Sequence, residues 1–184
     1  MSSLAPSLLL AMPHLTDPTF AQAVVLLCSH DEDGAFGLIV NRPMQTTGRV
    51  VVPLQPPAET DRELELWFGG PVEPSRLWLL VSADADETWH TGAMPVSDGL
   101  WLSSSPDLVR RMLEPEPPPH IHMVVGYAGW APGQLDAELE ASDWLFSDVA
   151  PSLIFGGAPE SMWERALRRL GVEPAALHAS RGVH

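Results

Sequence analysis

The chain has 184 residues, which fits one domain whose core would bury roughly 70% of the surface exposed by the unfolded form. Hydrophobic residues make up 45% of it, and a mean hydropathy of +0.03 excludes an intrinsically disordered composition. With 24 acidic residues against 10 arginines and no lysine, the net charge is −14; this disfavours direct binding to nucleic acid and removes lysine bases, Schiff-base lysines and phosphate-loop lysines.

In chain order, apolar runs at residues 8–12 and 23–28 flank Asp17-Pro18, a pair that turns the chain, and predict two strands with a short connection. Residues 36–40 follow through Asp33-Gly34, the turn pair of a hairpin. Both hairpin runs are almost continuously apolar, so this hairpin is expected at the sheet centre, covered on both faces. Residues 49–62 set Pro53, Pro56 and Pro57 in a polar stretch and read as a loop or a poorly formed short helix. Strands are expected over 64–68 and 77–81, joined by Gly69-Gly70-Pro71, with a shorter one over 100–103. Ser105 caps a helix with Pro106 at its first position, and the prolines of 115–119 end it.

Residues 120–127 alternate, with Ile121, Met123, Val125 and Tyr127 on one side and His120, His122, Val124 and Gly126 on the other, which predicts a strand. A glycine-rich turn follows in GYAGWAPGQL, residues 126–135, and leads into a short helix over 134–141. Short strands are expected over 144–146 and 153–155. A helix over 159–170 then buries Met162, Trp163, Ala166, Leu167 and Leu170 and stops at Gly171. The whole reads as one α+β domain over residues 1–184 with a loose tail after about 177.

Cys28 is the only cysteine and sits in VVLLCSH, so it reads as a core thiol suited to a reducing compartment. The early apolar run is too short for a secretory segment, no basic residue precedes Arg42, and no stretch is long enough to span a membrane; the cytoplasm is the expected location.

No catalytic constellation is complete, and neither a cofactor nor a metal is implied. His120 and His122 share a strand face, yet the chain has no HExxH or cysteine pair. No serine sits in a nucleophile elbow. The strand, glycine turn and helix around Gly126, Tyr127, Gly129, Trp130, Gly133 and Gln134 have the general layout that offers backbone N–H groups to an anion. Their spacing matches neither the dinucleotide fingerprint nor the phosphate loop, and Asp136 and Glu138 already bring negative charge there. A structural turn is the competing reading. Asn41 and Arg42 end the second hairpin run, where an amide and a guanidinium could take an anionic or amide-bearing ligand; the alternative is a turn in which Asn41 satisfies local backbone and Arg42 meets a carboxylate.

Three blocks, LLLAMPHLTDPTFAQAVVLLCSHDEDGAFGLIVNRP (8–43), WFGGPV (67–72) and GYAGWAPGQLDAELEASDWL (126–145), make the chain resemble the YqgE/AlgH family of bacterial proteins. The resemblance implies a single α+β domain with a mixed, strongly curved sheet flanked by helices, and no established activity. One branch of that family is labelled a transcriptional regulator of alginate production. This chain departs from the family pattern at Leu77, where a glycine is usual after the arginine, and in the proline-rich stretch after Gly48. The first functional reading is a non-enzymatic regulatory or binding domain that contacts a protein or small ligand through Asn41, Arg42, Gly69, Gly70, Pro71 and the 126–134 loop. An enzyme using His30, His90 or His120 in a shared cleft is the second, and direct DNA regulation through Arg110, Arg111 and the arginines of 165–169 is the third.

Overall fold

The computed structural model describes residues 2–116 and 118–179. Strands β1 (Ser7–Ala11), β2 (Val24–Asp31) and β3 (Gly34–Ile39) form where the apolar runs predict them, and β2 and β3 make the Asp33-Gly34 hairpin. After them come β4 (Pro43–Gln45), β5 (Val50–Val52), β6 (Ala58–Thr60), β7 (Glu65–Phe68), β8 (Val72–Ser82), β9 (Met94–Ser97), β10 (Leu100–Ser103), β11 (Ile121–Trp130) and β12 (Trp144–Ser147). Ten of these form one sheet in the order β12-β1-β2-β3-β11-β8-β10-β9, with β7 pairing β11 and β4 pairing β7. The hairpin therefore lies in the sheet interior. All ladders are antiparallel except β7 on β11, which makes the sheet mixed. It is curled into a half-barrel flanked by helices, a single α+β domain.

Strand β11 is the spine of that curl. One edge pairs with β8 along most of its length; the other pairs first with β7 at Val124↔Trp67 and Val125↔Phe68, then with β3 at residues 128–130. Between these stretches the register shifts at Gly126, whose φ of +73° places it in the left-handed region. A bulge of this kind inserts one residue and re-aims the side chains beyond it. Strict alternation put Tyr127 beside Val125, but the bulge turns it to the other face. There it packs against Phe36 and Trp78 in the cluster that contains Val124.

The helices are α1 (Pro106–Met112), α2 (Gln134–Glu140), α3 (Pro151–Phe155), α4 (Met162–Arg169) and α5 (Pro174–Ala179). The inner cluster joins Leu10, Leu26 and Leu38 of one half of the sheet to Leu80, Leu102 and Val124 of the other, beneath Ile154, Trp163 and Leu167 of α3 and α4. Outside, α1 and Val52 cover Leu66, Leu79 and Met123, while Leu135 of α2 covers Val25, Ile39 and Ala128. No helix among the described residues is long and apolar enough to cross a membrane.

Four local expectations are corrected. Residues 49–62 hold an antiparallel pair, Val50↔Thr60 to Val52↔Ala58, because three consecutive valines favour extended backbone despite the prolines between the strands. Residues 153–155 lie in α3 rather than a strand. So short an apolar run has no decisive period, and Pro151 in the first turn starts the helix. Leu170 caps α4 and is exposed, and residues 159–161 form a separate 3-10 turn. Helix α5 occupies residues 177–179 of the expected loose tail; the rest of that tail lies outside the described residues.

Candidate functional site

The three motif blocks do meet, through their backbones. A Cβ on Gly126 would lie 2.3 Å from the Gly70 carbonyl oxygen, one on Gly69 would lie 2.4 Å from the Gly126 oxygen, and one on Gly70 would lie 2.2 Å from the Tyr127 carbonyl carbon. The Gly69 N–H donates to the Val125 carbonyl at 2.8 Å, and the Gly69 carbonyl accepts from the Ile39 N–H at 2.8 Å. The Arg42 carbonyl in turn accepts from the Phe68 N–H at 2.8 Å. These glycines permit close chain approach at the sheet's branch point, where no space is left for a ligand; Pro71 stands exposed beside them.

The rest of the signature block is bound to itself. Gly133 takes a left-handed conformation (φ +75°) before α2, and the Gln134 side-chain oxygen accepts from the Ala131 N–H at 3.0 Å. Glu138 then gathers three donors: the Trp130 and Trp144 indole N–H groups reach its Oε2 at 2.9 and 2.8 Å, and the Gln134 amide reaches its Oε1 at 2.9 Å. A buried indole needs such an acceptor, and a carboxylate that serves two indoles ties α2 to both β11 and β12. Sequence reasoning missed this role because it read Glu138 only as negative charge at the helix start that weighs against an anionic ligand. The i, i+4 spacing of Gln134 and Glu138 was the available signal. Gly129 is exposed on β11 next to the Tyr127 ring.

Asn41 is buried with both polar atoms partnered: its Oδ1 accepts from the Val24 N–H and its Nδ2 donates to the Gln22 carbonyl, both at 2.9 Å. Arg42 differs. Its guanidinium donates to the Ala21 carbonyl, and it has no carboxylate within 4.0 Å among the described residues, so the ion pair of the alternative reading is not formed there. Burial lowers its pKa. It lines a cleft of about 340 Å³ with Gln22, Asn41, Pro159, Glu160 and Trp163.

A second cleft, of about 430 Å³, opens where β7 and the start of β11 diverge, and is lined by Gln45, Arg62, Glu65, Trp67, His120 and His122 among others. His122 stacks on Trp67 at 4.1 Å and meets Phe155 at 4.6 Å; burial lowers its pKa to about 4, so it is neutral at physiological pH. Arg62 donates to the Met112 carbonyl at 2.7 Å while its Nε lies buried without a partner among the described residues. No serine, threonine, cysteine or tyrosine is among the described residues lining this cleft.

The remaining histidines are dispersed. His30 is buried with its Nδ1 accepting from the Leu4 N–H at 3.2 Å, which leaves its Nε2 proton to Asp136 at 3.3–3.4 Å. His90 bonds the Ser82 carbonyl at 2.9 Å and lies against Trp101. Of His30, His90 and His120, only His120 lines the β7–β11 cleft. Burial pushes the Cys28 thiol up to about 12, which leaves it inert as a nucleophile. Among the described residues, no group of three or more histidine, cysteine or carboxylate side chains could hold a metal ion.

The AlgH-like family matches residues 8–175. A UPF0301 protein of Myxococcus xanthus is 39% identical over 100% of both chains, and one of Paracoccus denitrificans is 38% identical over 98% of this chain and 97% of its own. The solution structure of the AlgH protein from Pseudomonas aeruginosa superposes with a TM-score of 0.72 at 32% identity, covering 97% of this chain and 96% of that one. With the motif blocks spread along the chain and the same curled sheet around them, this protein belongs to the AlgH-like family.

Proposed function

We propose that this protein is a cytoplasmic, non-catalytic binding domain that takes an anionic group at Arg42. The observation that supports this reading is a partly buried guanidinium with no carboxylate within 4.0 Å among the described residues, in a chain where acidic residues outnumber basic ones 24 to 10. An unpaired, partly desolvated cation is stabilised by an incoming carboxylate or phosphate, and the Gln22 amide and the Trp163 side chain in the same cleft supply a donor and an apolar wall. Asn41 and the glycines of 69–70 and 126 hold the chain that carries Arg42.

The test is a thermal shift of the protein with inorganic phosphate and small dicarboxylates. Stabilisation that disappears in Arg42→Met, with an unchanged circular dichroism spectrum, is the expected result. If no such compound stabilises the protein and Arg42→Met leaves partner pull-downs intact, the assignment fails. Of the histidines that the enzyme reading names, His30, His90 and His120, only His120 lines the β7–β11 cleft. Direct DNA binding is disfavoured by the net charge, and among the described residues most of the arginines it would use are engaged: Arg110 donates to the Pro56 carbonyl, Arg111 to Thr88 Oγ1 while lying over Trp89, and Arg165 to Ser161 and Ala158, and Arg168 pairs with Glu164.

A further inference from the structure

The main sheet ends on β4, β9 and β12, and these edges are unequally protected. Strand β4 has three residues and begins with Pro43. Strand β9 contains Pro95, and its ladder with β10 slips register. Proline, brevity and irregularity all blunt an edge against pairing with another chain. Strand β12 is as short as β9 but has neither proline nor irregularity: its four residues pair with β1 in unbroken register from Leu8↔Ser147 to Ala11↔Trp144.

The alternation of an antiparallel ladder shows which of its groups face outward. The Met12 N–H donates to the Asp143 carbonyl and the Ala11 N–H to the Ala23 carbonyl, so Leu8, Leu10 and Met12 point toward β12, and Asp143, Leu145 and Ser147 point back. The backbone groups of Trp144 and Phe146 therefore face away from the sheet, with no partner among the described residues. The Phe146 side chain beside them is 57% exposed. Just past the strand, a cleft of about 640 Å³ is lined by Asp98, Asp148, Pro6, Val96 and Val149.

We infer that the outer edge of β12 binds an extended, basic segment of a partner protein by strand addition, with an arginine or lysine of that segment entering the cleft between Asp98 and Asp148. The outward backbone N–H and carbonyl of Phe146 supply the main-chain bonds, its side chain supplies an apolar contact, and the two carboxylates select charge. A second copy of this chain is the poorer occupant. Pairing two β12 edges brings together segments flanked by Asp143 and Asp148 on chains that each carry a net charge of −14.

The probe is a fluorescein-labelled hexapeptide of alternating arginine and valine, followed by polarisation with the full chain. It is expected to bind, to lose about tenfold in affinity when alternate amides are N-methylated, and to lose severalfold in Asp98→Asn and Asp148→Asn with a flatter salt dependence. A glutamate-valine peptide is expected not to bind. Phe146→Pro, which removes an outward N–H, should abolish binding; because N-methylation alters only the peptide, the test survives if this variant fails to fold. Absence of binding, or equal binding of the N-methylated peptide, overturns the inference. So does a dimer in sedimentation velocity that competes with the peptide.

Discussion

Two half-buried polar residues carry different obligations. Glu138 must stay in place, because Trp130 and Trp144 both depend on its Oε2. Glu138→Ala leaves two indole donors without an acceptor and should destabilise the fold by about 3 kcal/mol, read from urea denaturation, while Glu138→Gln should cost about half as much because it keeps one acceptor oxygen. His122 must stay neutral. Its folded pKa of about 4 lies below the ordinary 6.5, so its contribution is fully present above pH 6.5 and is lost as pH falls toward 4. That difference corresponds to about 3 kcal/mol across the window. His122→Phe, which preserves an aromatic ring between Trp67 and Phe155, should remove this component from a series of urea denaturations between pH 7 and 4.

At the scale of elements, the bulge in β11 decides where the sheet branches. Gly126→Ala combines a left-handed backbone with a Cβ 2.3 Å from the Gly70 carbonyl, so it should cost more than about 4 kcal/mol or prevent folding. Gly133→Ala has a similar φ but open space around it and should cost only about 1–2 kcal/mol in the same assay. Elements with local signals were legible in the sequence: the Asp33-Gly34 hairpin, the Ser105-Pro106 helix start, and the alternation of residues 121–125. Tyr127 was not, because a bulge depends on what the neighbouring strands demand and leaves the apolar alternation unmarked. The site followed the same division. Asn41 and Arg42 were legible as a polar pair at a strand end, but whether Arg42 finds a carboxylate is decided by residues far away in sequence, Ala21 and Glu160 among them.

For the whole molecule, the excess of 14 negative charges has few internal counterweights. Among the described residues the arginine–carboxylate pairs, Arg49–Glu59, Arg76–Glu73, Arg168–Glu164 and Arg168–Glu173, join exposed side chains, and pairs of that kind contribute little. Repulsion among the unpaired carboxylates then opposes folding more than these pairs favour it. Raising salt from about 10 mM to about 300 mM shortens the Debye length from roughly 30 Å to well under 10 Å and screens the long-range repulsion first. The midpoint of thermal unfolding at pH 7.5 should therefore rise with sodium chloride, and equally with potassium chloride; a fall would show that the surface pairs dominate. Mild acid has the opposite sign through His122, whose protonation begins to oppose folding below pH 6.5, before most carboxylates lose their charge. Measured from pH 7.5 downward in low salt, stability should first decline, and in His122→Phe that early decline should vanish and expose the relief of repulsion as the acidic residues begin to titrate.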